Sequence, residues 1–465
     1  MATQLTDEVC RALGAAFAQV VVVPDGQRTM VIGHDMRDSS PGLATAFAAG
    51  VRAAGVDVTH IGVCATDQLY FASGTFACPG AMITASHNPA AYNGIKMCRA
   101  RAVPLGTDTG LTLVRDMAQW MLDRGNLHPQ TASPAGTATG TLVEQNVLAD
   151  YAAYLHSLVD LSTIRPLRVV VDAGNGMGGL TAPAVLSPLA AIDMIGLYLE
   201  LDGTFPHHEA NPLEPANIVD LQHAVREYKA DLGLAFDGDA DRCFVVDERG
   251  EPVTASAITA LVAAREIAKE ICGGAPPKDI TVVHNTISSR AVGETVVALG
   301  ARAVVAKVGH SYVKAEMAAH DAVFGGEHSG HYYFRDFWRA DTGMLAALHV
   351  LAALGSADDG TTMSTLAAPF DPYLHSGEIN STAPDTAAAA EAVRAWGAAD
   401  PGVLVSEFDG LSLVKDGEDG CFWTVSVRAS NTEPLLRLNV ESDEESTMVR
   451  VRDEVLAVIL STVSP

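Results

Sequence analysis

Cationic side chains are scarce in this chain of 465 residues: 30 Lys and Arg stand against 56 Asp and Glu, a formal net charge of -26. So large a negative surplus argues against general binding to nucleic acid or to anionic membranes. It also sets a condition for any anionic ligand, whose site must be locally positive inside a repulsive field. Cysteines are few and show no pairing pattern. Cys10, Cys64, Cys78, Cys98, Cys243, Cys272 and Cys421 are an odd number with no C-x-x-C spacing, which argues against a disulfide scaffold or a zinc site and fits a reducing, cytoplasmic setting. No apolar run is long enough to span a bilayer. The polar start, with Asp7 and Glu8, lacks the pattern of a signal peptide.

What is present is a folded α/β chain. Hydrophobic residues make up 48% of it, and its length suggests roughly three domains or more. Asp7 to Val20 has helical spacing with Thr6 as N-cap, and Thr29 to Gly33 reads as a strand. Ser39-Ser40-Pro41 predicts a helix start with a serine cap, and Val56 to Gly62 alternates like a strand. Strand, helix, strand in this order implies a parallel, helix-covered sheet. A soft stretch from His128 to Gly140 reads as a loop, and Leu142 to Val159 as a helix leading to a second unit. Leu167 to Val171 is a strand ending in the glycine-rich Asp172-Ala173-Gly174-Asn175-Gly176-Met177-Gly178-Gly179, with Asp193 about 20 residues on. Pro183 and Pro188 interrupt the helix that a dinucleotide site needs, so the glycines read as a tight strand-to-helix turn. A third unit runs through a helix at Ala257 to Ile271 and strands at Ile280 to Val283 and Ala303 to Val305. Gly355 to Thr361 is a plausible linker. The last hundred or so residues differ, with an Ala-rich helix around Ala387 to Trp396 and alternating strands at Thr424 to Val427 and Leu435 to Val440.

Three of these units each put a polar loop after a short apolar run. The first is Ala81-Met82-Ile83 followed by Thr84-Ala85-Ser86-His87-Asn88-Pro89. Pro89 cannot donate to a ladder, so Ser86 sits in a turn just past a strand end, the edge at which open α/β sheets bind ligands. A serine hydroxyl is a weak nucleophile that needs a base, a cation or a metal beside it. Asn93-Gly94-Ile95-Lys96 reads as a turn returning a lysine towards it. The second loop is Asp237-Gly238-Asp239-Ala240-Asp241-Arg242 after Leu232 to Phe236. Alternate side chains of an extended loop share a side, and three carboxylates held together call for a cation. All-oxygen ligation favours Mg²⁺ or Ca²⁺. An EF-hand is excluded because Arg242 takes the position that needs glycine, although Glu248 falls at the loop's twelfth. The third loop, Gly325-Gly326-Glu327-His328-Ser329-Gly330-His331, offers Glu327 and Ser329 to neighbouring hydroxyls. In the C-terminal unit, Arg428, Ser430, Asn431 and Thr432 form an anion-docking set. Lys96, Lys307, His310, Arg242 and Arg37 are candidate local positive charges.

Taken together and in this order, these four loops resemble the α-D-phosphohexomutase superfamily over nearly the whole chain. Asn431 is similar to the phosphomannomutase/phosphoglucomutase branch, where the phosphoglucosamine mutase branch has serine-glycine-threonine. The resemblance implies an α/β fold: three similar α/β domains with mixed sheets plus a smaller C-terminal α+β domain around a central cleft, here 1–143, 144–250, 251–364 and 365–465. It implies an intramolecular phosphotransferase that interconverts hexose 6-phosphate and hexose 1-phosphate, mannose first and glucose second, through a phosphoserine and a hexose 1,6-bisphosphate that also serves as activator. Ser86 would carry the phosphoryl group and, with Asp237, Asp239 and Asp241, hold Mg²⁺. His87, Lys96, Arg242 and His310 would be catalytic, with Lys96, Arg242 and His310 as cations of the cleft and Lys96 or His310 as the proton-transfer group. Glu327 and Ser329 would bind sugar hydroxyls, and Arg428, Ser430, Asn431 and Thr432 the phosphate not in transfer. The expected partner is a phosphosugar, with no nucleic acid and no membrane. Relatives of this kind usually carry a Tyr-Asp-x-Arg-Gly strand ahead of the helix that here begins at Asp7, and its arginine contacts the reacting phosphate. Either the start is assigned too late or that strand and cation are lost, and a loss makes a phosphosugar-binding protein with impaired turnover the alternative; among enzymes the alternative is a phosphoglucosamine mutase.

Overall fold

The computed structural model describes residues 4–125, 139–383, 385–417, 421–429 and 435–462. Its first sheet contains β1 (Thr29–His34), β2 (Asp57–Val63), β3 (Gly80–Ile83), β4 (Ile95–Arg99), β5 (Val103–Pro104) and β6 (Leu142–Glu144), in the spatial order β5-β4-β3-β1-β2-β6. Strands β3, β1, β2 and β6 run parallel, whereas β3–β4 and β4–β5 are antiparallel. The second sheet holds β7 (Leu167–Asp172), β8 (Ile192–Leu197), β9 (Leu232–Phe236), β10 (Cys243–Asp247) and β11 (Pro252–Val253) in the order β11-β10-β9-β7-β8. The third has β12 (Thr281–Asn285), β13 (Arg302–Ala306), β14 (Phe324–Gly326), β15 (Tyr332–Phe334) and β16 (Ala340–Asp341) in the order β13-β12-β14-β15-β16. All three sheets are mixed in the same way: a parallel core, then an antiparallel hairpin leaving one edge.

That repeated hairpin decides where the polar loops go. The turn between β3 and β4 carries Ser86, that between β9 and β10 carries Asp237, Asp239 and Asp241, and that between β14 and β15 carries Glu327 and Ser329. Each apolar run ahead of its turn is a strand buried along its length, as continuous hydrophobic sequence in a parallel sheet requires. The fourth sheet is antiparallel: β17 (Leu374–His375), β18 (Ile379–Thr382), β19 (Val403–Ser406), β20 (Leu411–Asp416), β21 (Phe422–Ala429) and β22 (Leu435–Ser442). Helices 386–398 and 445–461 cover one of its faces through Leu413, Val425, Leu438 and Val440. One apolar cluster, running from Val31 to Ala367, is shared by the first three units, while Ala383 to Ile459 form a separate core in the fourth.

Several local expectations differ from the structure. Thr6 caps the first helix through Val9 N, but Ser39 makes no cap bond. The Ser39 and Ser40 hydroxyls accept from Asn93 Nδ2 instead, and Ser40 Oγ donates to Asp35. The helix expected over Leu142 to Val159 begins at Leu148, where Asn146 Oδ1 accepts from Leu148 N. Leu142 to Glu144 are the sixth strand of the first sheet, claimed by pairing with β2. Pro183 lies inside helix 178–186 and does not end it, at the cost of one backbone bond. Asp193 pairs with Arg168 at 2.8 Å on the surface. Most of the soft stretch before Gly140 lies outside the described residues.

The first three units meet at a buried carboxyl. Asp67 Oδ2 accepts from Tyr151 Oη at 2.6 Å and Thr342 Oγ1 at 2.8 Å. Burial pushes this group up to about 7, against two hydroxyl donors that pull it down. A carboxyl whose folded value exceeds its unfolded one binds more protons when folded, so it lowers stability as pH rises between the two values, here from about 4 to 7. The upper bound is roughly 4 kcal/mol for a shift of about three units. Asp67→Asn removes that titration. Its melting temperature relative to wild type is expected to rise between pH 5 and pH 8. A difference that stays constant over this range contradicts the assignment.

Candidate active site

Ser86 occupies the left-handed region at φ +51°, a strained place for a residue with a Cβ. Its N–H donates to Thr84 Oγ1 at 2.9 Å, and its hydroxyl donates to Asp237 Oδ2 at 2.8 Å with His87 Nδ1 3.3 Å away. The two turns touch because of a missing side chain. A Cβ on Gly238 would lie 2.3 Å from Ser86 O, so glycine alone permits the approach. His87 is half-buried; burial and then Arg242 push its ring down to about 4, which makes it an acceptor.

Asp237, Asp239 and Asp241 are fully buried and bring one carboxylate oxygen each within 4.8 Å of one another. Burial pushes Asp237 up to about 7, only partly offset by Arg242. Arg242, also buried, binds Asp237 Oδ2 through Nε at 2.9 Å. Lys96 reaches from β4, opposite Met82, and contacts Asp239 at 2.7 Å and Asp241 at 2.5 Å. Burial works against its charge, but the two aspartates outweigh it and hold the ammonium well above its ordinary range. Thr66 Oγ1 donates to Asp239 Oδ2 at 2.6 Å. Three carboxylates against two cations leave the cluster one charge short of balance. Asp239 Oδ1 and Asp241 Oδ1 are buried without a hydrogen-bond partner. Orphaned carboxylate oxygens in a buried, all-oxygen set fit a hard divalent cation.

The third loop joins this cluster from the other side. Glu327 is buried, accepting from Tyr333 Oη at 2.5 Å, Gly309 N at 2.9 Å and Asn285 Nδ2 at 3.1 Å. Burial alone would raise its carboxyl; His331 and these donors outweigh that and hold it below the usual range. With three acceptor positions filled, Glu327 keeps room for about one further hydroxyl. Ser329 Oγ lies 2.8 Å from His331 Nδ1. Arg428, on β21, sits 3.4 Å from Asp409, which also accepts from Val308 N and Thr286 Oγ1 of the third unit. Ser430, Asn431 and Thr432 lie outside the described residues. His310 is exposed at the start of helix 310–320 and within electrostatic reach of Lys314, Asp341, Lys96 and His331.

The chain is matched in four consecutive segments by the models for phosphoglucomutase/phosphomannomutase alpha/beta/alpha domains I, II and III and the C-terminal domain, over residues 1–122, 149–250, 256–373 and 378–458. The chain belongs to the phosphoglucomutase/phosphomannomutase family. It is 37% identical over 459 residues to the phosphohexose mutases of Xanthomonas campestris pv. campestris, covering 98% of this chain and 96% of that one. It is 32% identical over 466 residues to a phosphomannomutase of Vibrio cholerae serotype O1, covering 99% and 96%. A solved structure of a phosphoglucomutase/phosphomannomutase family protein from Burkholderia thailandensis superposes with a TM-score of 0.84 at 27% identity, covering 99% and 95%. The protein is thus an enzyme of the mutase type, an intramolecular phosphotransferase with the α/β fold of its family. No helix among the described residues is long and apolar enough to cross a membrane.

Within this family member the structure sorts the candidate cations. Lys96 and Arg242 converge on the aspartates, and the neutral ring of His87 sits beside Ser86 Oγ. Lys307 does not; its Nζ lies 5.6 Å from the Phe408 ring centre. Arg37 is buried behind the serine turn, bonded to carbonyls of that turn and not to the three aspartates, and is 1% exposed. Residues that sequence reasoning missed also belong here. His331 bridges the backbone of Arg242 and brings Nε2 to 3.8 Å from Asp241. Its signal was its place two residues past Ser329, at the end of the same polar turn. Arg437 lies opposite Arg428 across the β21–β22 ladder and 3.6 Å from Glu378. Lys314 pairs with buried Asp341 at 2.5 Å, and no local pattern announced it.

Proposed function

We propose that this protein interconverts hexose 6-phosphate and hexose 1-phosphate, mannose first and glucose second, with Ser86 as the phosphoryl carrier and a hexose 1,6-bisphosphate as intermediate and activator. One observation carries the reading: the Ser86 hydroxyl lies 2.8 Å from a carboxylate of the buried three-aspartate cluster. Asp237, Asp239 and Asp241 are the residues to hold Mg²⁺, which when bound neutralises charge on the phosphoryl oxygens. Lys96 and Arg242 add fixed positive charge beside the same group, as phosphoryl transfer needs more than it needs covalent chemistry. His87, held neutral near pH 7, is placed to take a proton from Ser86 Oγ. His331, Lys96 and His310 are the candidates at the sugar hydroxyl. Glu327 and Ser329 orient the sugar. Arg428, with Ser430, Asn431, Thr432 and the added Arg437, docks the phosphate that stays put. Because either end of the bisphosphate must occupy that dock, the substrate turns over between the two transfers.

The test is conversion of mannose 1-phosphate, glucose 1-phosphate and glucosamine 1-phosphate by purified protein with Mg²⁺ and the matching 1,6-bisphosphate. Turnover of mannose 1-phosphate at a kcat of about 1–10³ s⁻¹ is expected. Preference for glucosamine 1-phosphate would move the enzyme to the amino-sugar branch. Binding of all three without turnover would favour a phosphosugar-binding protein.

A further inference from the structure

A guanidinium has five N–H donors, and all five of Arg37 are used inside the protein. Nη1 donates to Pro89 O at 2.8 Å and Tyr92 O at 3.0 Å. Nη2 donates to Asn88 O at 2.7 Å and Ser86 O at 2.8 Å. Nε donates to Asp35 Oδ2 at 3.1 Å, and Asp35 Oδ1 accepts from Arg37 N and Ser40 Oγ. No donor remains for a phosphate. Four carbonyls of one turn converge on a single buried cation; Pro89 O also accepts from Tyr92 N at 2.9 Å, whereas Arg37 is the partner that draws Ser86 O, Asn88 O and Tyr92 O to one point. The cation is clamped from the second unit as well. The Phe205 ring centre lies 5.2 Å from Arg37 Cζ, and a Cβ on Gly203 would stand 2.6 Å from Arg37 Cα.

We propose that Arg37 is a positioning residue for phosphoryl transfer. The β3–β4 turn is wound around its guanidinium, and this holds Ser86 in its left-handed conformation with the hydroxyl aimed at Asp237. The proposal rests on the reading of Ser86 as phosphoryl carrier. Asp35 sets the plane of the fork, the four carbonyls fix the turn to it, and Phe205 ties the assembly to the unit that supplies the aspartates. Lysine keeps the charge but offers three donors from a single point, and cannot serve four carbonyls spread around a plane. The loss belongs to the transferring group and not to substrate docking, because Arg428, Glu327 and Ser329 lie on other units.

Arg37→Lys and Arg37→Ala are compared with Ser86→Ala in steady-state kinetics, and by hydrogen exchange of residues 84–94. The amides of Thr84, Ser86, Asn88 and Tyr92 are bonded within this turn or to its ends. A displacement of about 1 Å at a reacting group costs about 100-fold, so Arg37→Lys is expected to lower kcat by that factor while KM changes less than about threefold. Exchange should quicken in 84–94 and stay unchanged in 237–242. Millimolar guanidinium should restore part of the Arg37→Ala rate and none of the Ser86→Ala rate. If neither Arg37 variant folds, Phe205→Leu removes only the ring beside the fork and is expected to quicken exchange in the same segment. Unaltered exchange of 84–94 in a folded variant overturns the proposal, as does a kcat within threefold of wild type. The Ser86 reading fails separately, if intact mass shows that wild type takes no phosphoryl group from the bisphosphate; the exchange result then decides whether Arg37 orders the turn.

Discussion

Alanine at position 86 leaves the protein folded and takes away its turnover. The Ser86 hydroxyl makes one hydrogen bond to Asp237 and a longer contact with His87, so its removal costs stability on the order of 1 kcal/mol. The backbone strain at φ +51° is nearly the same for alanine, which also carries a Cβ. The chemical loss is of another size. A covalent carrier that is removed has no substitute in the site, and nucleophile deletions of this kind cost on the order of 10⁴-fold or more in kcat. Two measurements check this together. Melting temperatures of wild type and Ser86→Ala should agree within a few degrees. Intact mass after incubation with a hexose 1,6-bisphosphate should show a phosphoryl group on wild type alone. Turnover by Ser86→Ala within tenfold of wild type would remove the phosphoserine from the mechanism.

Asp239→Asn is expected to do two opposite things. In metal-free buffer the variant melts no lower than wild type, because one of three mutually repelling buried carboxylates has lost its charge. The Thr66 hydroxyl still finds an acceptor on the amide. On adding Mg²⁺, wild type gains stability by mass action, about 2.7 kcal/mol when the ion is at 100 times its Kd. The variant gains a small fraction of that, since Asp239 Oδ1, an oxygen without a partner, is no longer a charged ligand. Activity at saturating Mg²⁺ should fall by at least about 100-fold, the scale on which electrostatic groups at a reacting centre act. Calorimetric scans across a Mg²⁺ titration read the stability arm without any assay of activity. A variant whose melting temperature climbs with Mg²⁺ as steeply as wild type would exclude Asp239 from the cation site.

The loops at Ser86, Asp237 and Glu327 were legible because each is a local event. A buried strand ends, its hydrophobic run stops, and polar residues begin within one or two positions. The helix at Asp7 and the strand at Leu232 were readable for the same reason. Leu142 to Glu144 were not, since three residues with helical neighbours become a strand only when β2 offers an edge. The single cap at Ser39 failed because Asn93, 54 residues away, took the hydroxyl. His331 and Arg437 were missed because their importance lies in what sits across a ladder or a domain boundary.

The residue types and their order along the chain thus determined the chemistry on offer: a hydroxyl, three carboxylates and a glutamate–serine pair, each at a strand end. Packing alone decided that these groups face one another, because the hairpins of three sheets meet only when their strands share a common core. Packing also separated the cations that serve the acidic cluster from Lys307 and Arg37, which do not. Arg37 is drawn inward by backbone carbonyls, which every residue carries and no sequence pattern can mark.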